Sequence, residues 1–133
     1  MHWLERRLGE RLIAIGVVHT LFGLTVYDRS LPRELWRGGL LNSVGANGPR
    51  AEWLWFTTGG GLMIGTGLLA RSHLRRTGTL PAAFGAGLLA TALANGALQP
   101  HSGIWLVVAE SIIALRLARR RPIGAGTVVA SAR

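Results

Sequence analysis

The chain has 133 residues, 49% of them hydrophobic, with 19 glycines and a formal net charge of +9, a size that holds one compact unit rich in apolar surface. With no cysteine, thiol redox chemistry, disulfides and thiolate metal sites are excluded. All fifteen basic residues are arginines and they fall between apolar runs, which argues against nucleic acid and for a lipid bilayer whose headgroups the arginines meet.

Residues 1–11 carry Arg6, Arg7 and Arg11 among Glu5 and Glu10 and suit a short amphipathic helix on the membrane surface. The first span is expected over about 12–27. A signal peptide shares this basic-then-apolar opening, but no small-x-small cleavage site follows Val26 and three more apolar segments come later, so the segment is read as retained. Between Asp28 and Glu52 lies the longest connection, in which Ser30–Trp36 starts a short surface helix. Gly38–Pro49 is too short and glycine-rich to span and is expected to dip into the interface or cap a cavity.

The second span is expected over 53–70, with Gly61 and Gly65 spaced for close helix approach. Arg71–Thr79 reads as a short basic turn, and Pro81 suits the first turn of a third span over 80–98. After the tight turn Gln99-Pro-His, Ser102 is the expected N-cap of a fourth span over 103–118. Residues 122–133 read as a disordered tail. The expected architecture is therefore all-α: an integral membrane four-helix bundle forming one domain over 1–121, with a partly structured outer loop between its first two helices. Eleven arginines share a side with both termini and four lie opposite, so the expected location is a bacterial inner membrane with both termini cytoplasmic.

Glu110 sits in the middle of an apolar helix, where an ionisable group is costly unless it meets a partner, a cavity or a ligand. Burial favours the neutral form of a carboxylic acid, which can then deliver a proton; the plainer role is to pair with a neighbour and hold helices together. Glu110 lies about 11 Å beyond Gly103 at ~1.5 Å per residue. The outer half of the expected bundle collects Tyr27, Asp28, Glu52, Trp55, Phe56, Asn95, Gln99 and Trp105, while the inner half is nearly bare. Aromatic faces stabilise cations, so acids at the rim or floor of a ring-lined pocket suit a reaction passing through carbocations.

Two polar stripes recur every four residues: His19, Gly23 and Tyr27 on the first span, and Gly87, Thr91, Asn95 and Gln99 on the third. Each is either a bundle seam or a lining, with Asn95 orienting Glu110 or a substrate and His19 within reach of Glu110. No second histidine lies within a span, so no metal is assigned. Phosphate-loop, serine-esterase and zinc-protease motifs are missing, as are the acid motifs of soluble terpene synthases and cyclases.

At Ile15–Gly23, Gly39–Ser43, Trp55-Phe56 and Leu98–Leu106 the chain resembles a family of small bacterial four-helix membrane proteins of mostly unknown function, over about residues 10–118. In size and four-span plan it is also similar to the membrane-bound indole-sesquiterpene cyclases of the drimentine and xiamycin type. That likeness implies a cofactor-free cyclase that protonates an alkene or epoxide of a prenylated, indole-linked substrate. Glu110, Asp28 and Glu52 are the candidate acids, chosen on physical grounds. Tyr27, Trp55, Phe56, Trp105, Asn95, Gln99 and His19 would contact the substrate. The alternative is a non-enzymatic membrane component, a transporter subunit or an interaction module, that forms a homo-oligomer.

Overall fold

A computed structural model of the chain describes residues 7–38 and 48–119. Among them the structure is all-helical, with five helices: α1 Leu8–Val26, α2 Leu31–Arg37, α3 Pro49–Thr77, α4 Ala82–Leu98 and α5 Ile104–Ala118. Residues 1–6, the Gly39–Ser43 segment and the 122–133 tail lie outside the described residues, and so does most of the expected interfacial dip. Of the five helices, α1 is long and apolar enough to cross a membrane, and α4 is a shorter apolar helix of 17 residues.

The helix ends follow local chemistry. Beyond α1, the Asp28 carboxylate accepts the Ser30 backbone N–H at 2.8 Å, an Asx-type turn that redirects the chain into α2. The α2 helix begins as the sequence suggests, with Pro32 in its first turn, and the Ser30 hydroxyl donates to Glu34 at 2.7 Å. In α3 the helix runs through 71–77, where a turn was expected, because no glycine or proline interrupts it before Gly78. Gly78 stops it with φ 72° while its N–H returns to the Leu74 carbonyl at 2.9 Å, a left-handed cap that glycine adopts without steric cost. Likewise α1 starts at Leu8, so Arg11 is part of that helix instead of a separate surface segment. Pro81 stays extended and precedes the first turn of α4. Gly103 occupies the N-cap of α5, and the Ser102 hydroxyl donates backward to the Gln99 carbonyl.

The chain divides into two compact units, one within Met1–Leu12 and Gly67–Arg133, the other Ile13–Thr66. In the first, α4 and α5 pack antiparallel along a row of small residues. A methyl built on Gly85 would lie 2.9 Å from the Leu115 nitrogen, and one on Gly96 3.3 Å from the Trp105 ring. Ala92, Val107, Ser111, Ala114 and Leu117 are buried on these two helices. The expected stripe of Gly87, Thr91, Asn95 and Gln99 is exposed instead, with open space at Gly87. The seam lies on the Gly85, Ala92 and Gly96 face because that face is flat enough to admit the bulk of Leu115 and Trp105. The start of α1 belongs to this unit: Leu8 and Leu12 are fully buried, and Gly9 meets the backbone of Arg71.

In the second unit α1 crosses α3 at Gly16 and Gly60. A methyl on Gly16 would lie 2.7 Å from the Gly60 carbonyl oxygen and 2.8 Å from the Ile64 nitrogen. The close approach expected at Gly61 and Gly65 is thus made one residue earlier, and both of those glycines face open space. Buried Leu31 and Leu35 anchor α2, and Arg50 donates to Glu34 at 3.0 Å.

Candidate functional site

Glu110 is 7% exposed, and both of its oxygens are taken. Arg11 Nε donates to Oε1 at 2.7 Å and Arg11 Nη2 to Oε2 at 2.8 Å, the parallel two-bond fork that matches a guanidinium to a carboxylate. With a guanidinium N–H on each oxygen, the carboxyl has no free oxygen facing a substrate, so proton delivery from it requires the pair to open first. Asn95 and His19, the orienters expected from the sequence, are each engaged by another group. The Asn95 amide donates to the Thr91 carbonyl of its own helix at 2.9 Å, and the His19 ring stacks on Phe56 with centroids 3.9 Å apart.

One residue before Arg11, Glu10 lies 3.2 Å from Arg71 on α3. Glu10 Oε2 and Arg71 Nε are buried atoms that complete no hydrogen bond, so this contact is an ion pair without good hydrogen-bond alignment. Adjacent residues of α1 thus address two different helices, Glu10 reaching α3 and Arg11 reaching α5.

The other two candidate acids belong to the Ile13–Thr66 unit. Asp28 is exposed, and the Ser30 backbone N–H, then the Ser30 hydroxyl, hold its carboxyl below the usual range. That direction opposes proton donation near neutral pH. Glu34 is likewise held low, by the Ser30 hydroxyl and then by Arg50. Glu52 is exposed in the first turn of α3, where negative charge complements the helix dipole.

Of the expected aromatic lining, one group comes together. Phe56 is stacked on His19, with Phe22 at 5.9 Å and Tyr27 at 6.0 Å between ring centroids, and the Phe56 ring covers Gly23. The His19, Gly23 and Tyr27 stripe is therefore one edge of this cluster. Trp55 stands apart with 73% exposure. Trp105 donates its indole N–H to the Pro100 carbonyl at 2.8 Å and lies against Gly96, which ties the α4–α5 turn; Gln99 closes α4 through its N–H to the Asn95 carbonyl. Among the described residues no three His, Asp or Glu side chains gather as a metal site would require.

A family model described as a family of unknown function, DUF6463, matches residues 4–121. The chain belongs to that family. No curated protein and no solved structure matches it. The family match spans both units, so Arg11, Glu110 and the Phe56 cluster all lie within the DUF6463 region.

Arg11 is the residue sequence reasoning missed. The signal was depth: an acid within a span needs a cation at the same level, and Arg11 opens the first apolar run from the arginine-rich side.

Proposed function

We propose that this DUF6463 protein is a four-span integral membrane protein of the bacterial inner membrane with both termini cytoplasmic. We further propose that it works as a non-enzymatic interaction module whose buried acid locks its helices. The observation that carries the membrane reading is how bulk is distributed. Each long helix turns large apolar side chains outward: Val18, Leu21 and Phe22 on α1; Leu62 and Leu69 on α3; Leu98 on α4; Leu106 on α5, all more than half exposed. Beside Leu8, Leu12, Val107 and Leu117, much of what they bury is small, notably Gly16, Gly60, Gly85, Ala92, Gly96 and Ala114. Water penalises that arrangement, whereas a bilayer accepts apolar bulk outside and rewards close helix contact inside.

The choice of an interaction module rests on the Arg11–Glu110 fork. Glu110→Gln removes the carboxylate charge that the Arg11 fork binds and should lower stability by about 1–3 kcal/mol, less than for a fully buried pair because Arg11 is partly exposed. Adding Arg11→Gln should restore part of the loss. A Glu110→Gln protein as stable as the parent, or a double variant with simply additive losses, defeats the lock. For the membrane reading, the cysteine-free chain offers a clean test. An impermeant maleimide should label His101→Cys, but not His73→Cys, in spheroplasts; the reverse or equal labelling defeats the topology.

One observation favours a second reading, the cofactor-free prenyl cyclase. Four rings meet at Phe56, and Glu52 lies one turn before it on the same face of α3. Here Glu52 is the proton donor, and Phe56, Phe22 and Tyr27 stabilise cations at about 0.5–2 kcal/mol per ring. Membranes containing the protein would convert prenylated indoles, with or without a terminal epoxide, to cyclic isomers. Unchanged substrate from folded protein removes this reading.

A further inference from the structure

In the unit within Met1–Leu12 and Gly67–Arg133, the described residues include seven arginines and two glutamates. Both acids are engaged: Glu110 binds Arg11, and Glu10 lies 3.2 Å from Arg71. Further toward the same helix ends, Arg75 and Arg76 stand a turn beyond Arg71, and Arg116 and Arg119 stand about 9 and 13 Å beyond Glu110 at ~1.5 Å per residue. All four are exposed, and none is ion-paired among the described residues.

The dipoles of α3 and α5 each absorb about half a charge at their C-termini, yet each end carries two arginines. Arg120 and Arg121 follow in the sequence. Positive charge therefore remains that the described residues do not neutralise. A guanidinium binds a phosphate through two parallel N–H bonds, so phosphate is the chemistry these side chains fit. The same helices say which phosphate. Leu68 and Leu69 on α3 and Ile112 on α5 are exposed one to two turns below the arginines, placing the arginines at the height where an apolar surface gives way to headgroups.

We propose that Arg75, Arg76, Arg116 and Arg119 form a binding surface for the phosphates of anionic phospholipids, which act as bound partners of this unit. The proposal rests on the membrane reading above. It is tested by native mass spectrometry of the full chain in detergent with equimolar phosphatidylglycerol and phosphatidylcholine. Phosphatidylglycerol should be retained preferentially. Replacing the four arginines by glutamine should erode that preference, by up to roughly fivefold for each arginine, while the protein melts unchanged in phosphatidylcholine. Four lysines should keep most of it.

Equal retention of the two lipids by the parent protein overturns the proposal, as does a preference that survives the glutamine variant. Displacement of phosphatidylglycerol by a duplex oligonucleotide overturns it in favour of nucleic acid, and displacement by millimolar inorganic phosphate in favour of a free anion. A chain that stays soluble without detergent defeats the membrane reading and this proposal with it. A chain that needs detergent yet retains both lipids equally defeats this proposal alone.

Discussion

The two compact units solve the same packing problem with different chemistry. In the Ile13–Thr66 unit, α1 and α3 touch backbone to backbone at Gly16 and Gly60, and further along the gap is filled by the Phe56 rings. Its three acids are all on the surface, and the four arginines among its described residues nearly balance them. The other unit also closes on small residues, at Gly85 and Gly96, but adds an ion pair whose carboxylate is almost buried. It carries a large arginine excess. The contrast teaches that glycine rows bring helices together in both units, whereas specificity comes from aromatic stacking in one and from charge pairing in the other.

The largest effect should come from breaking what the units share. Gly16→Leu and Gly85→Leu each push a side chain into a neighbouring backbone and should cost about 3 kcal/mol or more, read as the loss of folded protein in a detergent melt. If either variant melts like the parent, glycine contact is not what holds that unit. Next, Arg11→Lys separates geometry from charge. It keeps the cation but loses the fork, and should cost about 1 kcal/mol, clearly less than Arg11→Gln. Equal losses for the two variants would assign the stabilisation to the fork alone.

Smaller still, Phe56→Leu keeps apolar volume but removes the stack, for an expected loss of about 0.5–1.5 kcal/mol, with the Tyr27 fluorescence altered. The smallest effect is a pH response confined to the start of α2. The folded-state carboxyls of Asp28 and Glu34 are held low, so their contribution is complete above the unfolded values and disappears as pH falls through the folded ones. The Ser30 amide proton, followed by NMR in micelles, should titrate with a midpoint below the ordinary Asp value of 3.8. A midpoint above it removes the Asx turn as the cause.

Helix content was legible because apolar runs, glycines and prolines mark elements directly. The short α2 was foreseen from Ser30 and Pro32. The ends of α3 were not, since Arg71–Thr77 is polar and polarity says where a span leaves the hydrocarbon, not where a helix stops. Seams were harder. Both Gly60 and Gly61 lie in one glycine run, and composition cannot choose between neighbours 100° apart around a helix; only the partner surface does. Glu110 was singled out correctly as a residue needing a partner, but its partner is 99 positions away, a long-range contact that periodicity does not encode.

The 29 residues of α3 make a rod of about 43 Å, against a hydrocarbon layer of roughly 30 Å. If α3 spans a bilayer as proposed, a helix of that length would tilt or carry its final turns past the acyl chains, with Gly78 setting the distance at which the polypeptide is released. On the membrane reading proposed above, this one helix would work as a ruler: thinner or thicker membranes would be met by a change in its slant, at a few tenths of a kcal/mol per ångström of mismatch.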